Sequence, residues 1–381
     1  MRKVGSGKLF FYIAGLAVSI GIIFLLHNSL QQVAKAFEKK ESNWKRHHIK
    51  IGDVESLQLW SPDFTVDRLF PSMTGPAEVH YFRLKEKGTP ELLWLTGYST
   101  SVLNAKNGEF LDDEFLCHNN FDYAINDYYL KWGLPERSMV QIPRLATITQ
   151  GQTKIQFPDG FGIPMMSDQN LSTATQVLNV NLPDTNFKVK HLVEIDYISE
   201  RKAKQSVRPL FQQSVNVLVK VDTNAAISDT LSPEQDCRPA LSTIAFLSTR
   251  KDGELYTGHW VIPKGRDTIT YDVTYMLNLP FSTTLHYAGV HVHPYCEYLE
   301  LRDVTENKVV FRSNITNDAN LSKMNHIEAF SSIEGLLMHK EHQYELVCVT
   351  NNTTDMEQDM MAVMLLYLHD KELEEIINKK K

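Results

Sequence analysis

LHYAGVHVHPYCEYLELRDV, residues 285–304, decides how this chain is read. It is rich in valine and aromatic residues and carries Asp303 next to its end, the composition of a strand closed by a turn residue. Stretches of the same kind recur on both sides of it. HYFRLKEK, ELLWLTGY, TKIQFP, ATQVLNVNL and KVKHLVEIDYI precede it; NKVVFRSNI, QYELVCVTN and MMAVMLLYLHD follow. Each is bounded by Gly, Pro, Asn or Asp. Many short strands separated by turns predict an all-β protein of sandwich or jelly-roll type. Few stretches read as helix: NNFDYAINDYYLKW is a candidate, and KELEEIINKKK reads as a charged tail.

The N-terminus has a different character. Residues 9–26, LFFYIAGLAVSIGIIFLL, carry no charge. As a helix they span roughly 27 Å, close to a bilayer's hydrocarbon thickness. Arg2, Lys3 and Lys8 precede them, so the positive-inside rule leaves the N-terminus in the cytoplasm and carries the body across. A cleaved signal peptide is the rival, but Ala34-Lys35-Ala36 lies about ten residues beyond the apolar run, too far for a cleavage region. The expectation is a single-pass membrane protein with its body on the periplasmic or other extracytoplasmic side.

The rest of the 381 residues exceeds what one core usually organises. Charge rises and alternation lapses near SERKAKQSVRPL, residues 199–210. The expected division is residues 1–45 for cytoplasmic tip, anchor and stalk, 46–203 and 204–371 for two β domains, and 372–381 for the tail. A net charge of −7, with no basic run interleaved with aromatics, argues against nucleic acid as a partner. Cys117, Cys237, Cys296 and Cys348 allow two disulfides in three pairings, or free buried thiols. Nucleophile-elbow, Walker, dinucleotide and H-E-x-x-H motifs are absent.

Chemistry points to His291-Val292-His293. Residues i and i+2 share a strand face, so both imidazoles can converge on one metal. The late stretch QDMMAVM, residues 358–364, supplies thioethers, which suit copper(I), while imidazole suits both copper states. Packing accounts for most of these methionines. His118, in CHNN, and His191, in FKVKHLVEIDY, are weaker candidates. His80, His259, His286, His326, His339 and His342 have no ligating spacing and read as structural.

LLWLTGYSTSVLNAKNGEFLDDEFLCHNNFDYA, FPDGFGIPMMSDQNLSTATQVLNVNLPD, VKHLVEIDY, LHYAGVHVHPYCEYLELRDVT and DMMAVMLLYLHD occur in an order that resembles the copper type II, ascorbate-dependent monooxygenases. That is the group of peptidylglycine α-hydroxylating monooxygenase and dopamine β-monooxygenase, and the chain is most similar to their bacterial relatives. The succession spans about residues 92–370. The resemblance implies two tandem jelly-roll β-sandwich domains, each offering a copper, and hydroxylation of an organic C–H substrate with O2 and ascorbate or another reductant. It places the C-terminal copper on His291, His293 and Met361, with Met360 the alternative one residue away. It places an electron-relaying copper on His118. Val180 stands where a further histidine is expected, and His191 is the replacement the chain offers. Two other readings follow from that departure: a single-copper binding or handling protein, and a non-catalytic β scaffold.

Overall fold

The computed structural model describes residues 43–221, 247–249, 253–320 and 322–380. The anchor expected at 9–26, most of the stalk and Cys237 lie outside these residues. No helix among the described residues is long and apolar enough to cross a membrane. The stalk's last residue, Lys45, already opens a strand, Lys45–Ile51. Trp44–Lys381 form one compact unit.

The all-β expectation holds. The largest sheet has eleven strands, and its main path runs Lys45–Ile51, Val54–Trp60, Phe187–Ser199, Leu92–Asn104, Phe161–Met166, Arg208–Asn216, Ala362–His369, Thr283–Val292, Phe330–Met338. Neighbours on this path are antiparallel except for a short parallel step, where Arg208 and Pro209 pair with Phe161 and Gly162. A four-stranded sheet, Ala77–Phe82, Leu171–Val177, Leu116–Tyr123 and Arg144–Thr149, packs against the first part of that path. A five-stranded sheet, Gly265–Asp272, Tyr344–Asn352, Cys296–Asp303, Lys308–Asn317 and Met324–Ile327, packs against the second part.

Each packing encloses a hydrophobic core. One gathers mostly residues before Arg208, the other mostly residues after Leu210. The strand Ala362–His369 serves both. Side chains alternate across a strand, so Leu365 and Tyr367 enter the first core while Met364, Leu366 and Leu368 enter the second. This double burial explains why its sequence is a continuous apolar run. The strand Thr283–Val292 divides in the same way after a bulge near His286: Tyr287 enters the first core, Ala288, Val290 and Val292 the second. Gly289 faces the first half so closely that a Cβ would meet the Gln152 side-chain amide at 2.5 Å. Gln152 accepts from the Val290 N–H at 3.1 Å and donates to the Tyr287 hydroxyl at 3.1 Å.

Two local expectations need correcting. NNFDYAINDYYLKW is half strand: Leu116–Tyr123 is extended, and only Ile125–Trp132 is helical. There the polar residues His118, Asn120 and Asp122 alternate with buried Cys117, Asn119, Phe121 and Tyr123, a period of two rather than 3.6. The charged tail is a packed helix, Lys371–Lys380, because Leu373 and Ile377 stand one turn apart and bury into the first core. Arg137 holds it there. Its guanidinium grips both oxygens of Asp370, whose carboxylate also caps the helix by accepting the Leu373 N–H. Cys296 and Cys348 face each other across adjacent strands with sulfurs 3.9 Å apart, as thiols, and Cys117 is a buried free thiol.

Candidate metal centre

The face of Thr283–Val292 that turns away from the second core carries Gly289 and His291, and His293 follows just past the strand's end. His291 pairs with Val363 and Val292 with Ala362. Carrying that register one residue further sets Met361 opposite His293, on the face that also presents Val363 and Asp359. Met360 points the other way and is fully buried in the second core, which gives it a packing role.

The short strand Gln358–Met360 pairs with Trp260–Ile262, and Val261 stands opposite Asp359. His259 lies two residues before Val261 and so shares the Asp359 face. His259, His293 and Asp359 each direct a ligating atom into one spot, all within 4.8 Å of one another. The His293 Nδ1 and an Asp359 oxygen are 3.0 Å apart. Ring centres of His259 and His293 are separated by 5.5 Å, and those of His291 and His293 by 5.6 Å.

These separations decide which rings can share an ion. An imidazole nitrogen at about 2.0 Å puts its ring centre roughly 3.1 Å from the metal, so two rings at 110–120° stand roughly 5.1–5.4 Å apart. Both measured pairs lie close to that. His118 reaches the cluster from the first half, but its ring centre is 6.5 Å from that of His291. Even ligands on opposite sides of an ion would be only about 6.2 Å apart. At 6.5 Å His118 borders the cluster from the first half.

Burial sets the charge state. It lowers the His291 imidazole well below its ordinary value, and His293 and His118 add to the effect. Burial, then Arg144 and His293, bring His118 to about 4. Burial also lowers His259, against the pull of Asp359. For Asp359 burial pushes the carboxyl up, but His293 and His259 outweigh it and leave the group below the ordinary carboxylate range. The lowering of His291 and His259 favours the neutral imidazole that a metal requires. His291 Nδ1 and Asp359 Oδ1 are buried and have no hydrogen-bond partner among the described residues.

The structure does not bring His118 and His191 together. Thr175 stands opposite Asn119, so both point to the inner face of the four-stranded sheet. His191 is completely buried on that inner side, with its Nδ1 2.6 Å from Thr175 Oγ1 and its ring against Phe64. His118, one residue from Asn119, points out of the other face. The sheet itself separates the two imidazoles, so they cannot share an ion as the sequence led us to expect.

His191 has a consequence of its own. Burial holds its imidazole at about 4, whereas an unfolded histidine titrates near 6.5. Between those values the unfolded chain binds more protons, so stability falls as pH drops through the window, by roughly 3 kcal/mol at full extent. His191→Gln is expected to flatten the pH dependence of the urea midpoint by about one proton between pH 6.5 and 4.

The sequence reading missed His259. It sits alone before a three-residue strand, 32 positions from His291, and no spacing rule connects them. Asp359 was part of the methionine-rich stretch but was not singled out.

No family model and no curated protein matches this chain. Among solved structures it is similar to the STIV MCP, at a TM-score of 0.28 and 10% identity over 81% of this chain and 96% of that one. It is also similar to the infectious bursal disease virus VP2 subviral particle, at a TM-score of 0.21 and 9% identity over 87% of this chain and 74% of that one. Likenesses this distant say nothing about the chemistry of the cluster.

Proposed function

We propose that this protein binds copper at one centre where its two halves meet, and that it acts there as an oxidoreductase of the monooxygenase type on an organic C–H substrate. The observation that carries the proposal is the grouping of His259, His293 and Asp359, whose ligating atoms lie within 4.8 Å of one another, with the His291 ring 5.6 Å from that of His293 and its Nδ1 buried without a partner among the described residues. Imidazoles suit copper in both oxidation states, and such a site binds copper(II) more tightly than other first-row divalent ions. Met361, opposite His293, would add a thioether that favours copper(I). Copper in this setting supplies one-electron redox chemistry towards O2, with ascorbate or another external reductant as the electron source.

The chain's own residues do the positioning. Asp359 accepts a hydrogen bond from His293 Nδ1–H at 3.0 Å, which would fix the tautomer and leave Nε2 to ligate copper. The His293 side chain is 12% exposed. His118 faces the cluster from the first half as a neutral acceptor. Two tandem jelly rolls on a single-pass anchor, with the centre on the extracytoplasmic side, complete this reading.

The test is O2 consumption by the copper-loaded full chain. We expect uptake that depends on ascorbate and is abolished in His291→Ala/His293→Ala. A second reading, a copper-holding protein without turnover, draws on the separation of His118 from His191, which leaves no relay site. Bound copper with no ascorbate-dependent uptake would select it.

A further inference from the structure

A second cluster lies where a turn within the five-stranded sheet meets the connection that enters that sheet from the largest one. One turn joins Cys296–Asp303 to Lys308–Asn317 and carries Glu306; the other joins Phe330–Met338 to Tyr344–Asn352 and carries His339 and His342. Their ligating atoms all lie within 4.8 Å of one another. The two imidazoles stack at 4.2 Å between ring centres and 27° between planes.

The surroundings hold these groups in place. Asp303, which is 5% exposed, sets an oxygen 2.6 Å from His342 Nδ1. Its other oxygen accepts the Glu306 N–H at 3.0 Å. One carboxylate thus fixes the Glu306 turn and the His342 tautomer together. With Nδ1–H committed to Asp303, the lone pair of His342 is on Nε2. A carboxylate behind a histidine in this way is the usual outer partner of a metal-binding imidazole. The Tyr344 hydroxyl accepts the His339 N–H at 2.7 Å and donates to the His339 carbonyl at 3.0 Å. The turns are joined directly as well, by Val304 N–H to the Gln343 carbonyl at 2.8 Å and Gln343 N–H to Thr305 Oγ1 at 2.9 Å.

We propose that Glu306, His339 and His342 form a second cation site, for Zn2+ or a similar divalent first-row ion, with Asp303 as the positioning carboxylate. Two imidazoles and one carboxylate complete a tetrahedron with one water. In such a site ligand atoms stand about 3.3 Å apart and imidazole ring centres roughly 5.1 Å apart, so on binding Glu306, which is exposed, rotates inward and the two rings move out of their 4.2 Å stack. The ion then clamps two turns whose backbones already touch. This site is independent of the copper centre and of its chemistry.

The experiment is Zn2+ titration of the full chain carrying His259→Ala and His293→Ala, which removes the first centre. We expect one Zn2+ per chain and a rise in Tm with Zn2+. Adding His339→Ala and His342→Ala should abolish both. Asp303→Asn, which keeps all three ligands, should weaken binding about 10- to 100-fold. No Zn2+ bound by the first variant, Zn2+ retained after both turn histidines are removed, or an affinity that Asp303→Asn leaves unchanged would each overturn the proposal.

Discussion

His293→Ala is expected to lower copper affinity by about 100-fold or more while leaving the fold intact. Loss of an outer-shell partner alone costs about 10- to 100-fold, and His293 is the ring that stands at ligand-sharing distance from both His259 and His291. Its removal leaves two imidazoles that no longer have a common neighbour. It also strands Asp359, whose carboxylate is held ionised by His293 and His259. The side chain lies past the end of its strand and is partly open to solvent, so the cores keep their packing. Competition against a copper chelator measures the affinity, and far-UV circular dichroism reports the fold. Asp359→Asn should fall between wild type and His293→Ala, because it leaves the ring in place and removes only its anchor.

The second large effect concerns the C-terminal helix. Arg137→Met is expected to destabilise the protein by about 3–5 kcal/mol, the usual cost of leaving one member of a buried ion pair alone. Asp370 is fully buried and Arg137 nearly so. The pair joins a short turn, Pro135–Met139, to the end of the strand shared by both cores. Glu372 gives Arg137 a second, more exposed partner at 2.8 Å. Asp370 keeps its cap bond to Leu373 when Arg137 is replaced, but that bond does not neutralise its charge. Arg137→Met/Asp370→Asn should cost less than the sum of the single changes, since neither charge is then stranded. Urea midpoints for the three variants measure this coupling.

The alternation of each strand made much of the fold legible in the sequence. Runs such as MMAVMLLYLHD announced strands, and His291-Val292-His293 announced two imidazoles on one face. Period two was also present in LCHNNFDY, where the polar set His118, Asn120 and Asp122 stands apart from the buried set. Reading that stretch as helix hid which way His118 points. Leu373 and Ile377 in the final helix carried an equally plain signal, masked by the surrounding charge.

The remainder lay in register, which one strand's sequence does not contain. His259 meets Asp359 because Val261 pairs with Asp359, and Asp359 meets His293 because the neighbouring strand runs in register with Thr283–Val292. His191 looked like a partner for His118 because Val180 stands where the resemblance expects a further histidine and His191 follows it. Its pairing with Thr175 puts it inside the first core instead. The turn histidines His339 and His342 were likewise uninformative until Asp303 and Glu306 were seen beside them.

The central claim is one shared copper centre rather than a separate copper in each half. Copper bound per chain after exhaustive dialysis tests it most directly, in a protein carrying His339→Ala and His342→Ala so that the turn site does not contribute. The account predicts one copper, lost on His259→Ala and kept on His191→Gln. Two coppers per chain, with one lost on His191→Gln and none on His259→Ala, would contradict it.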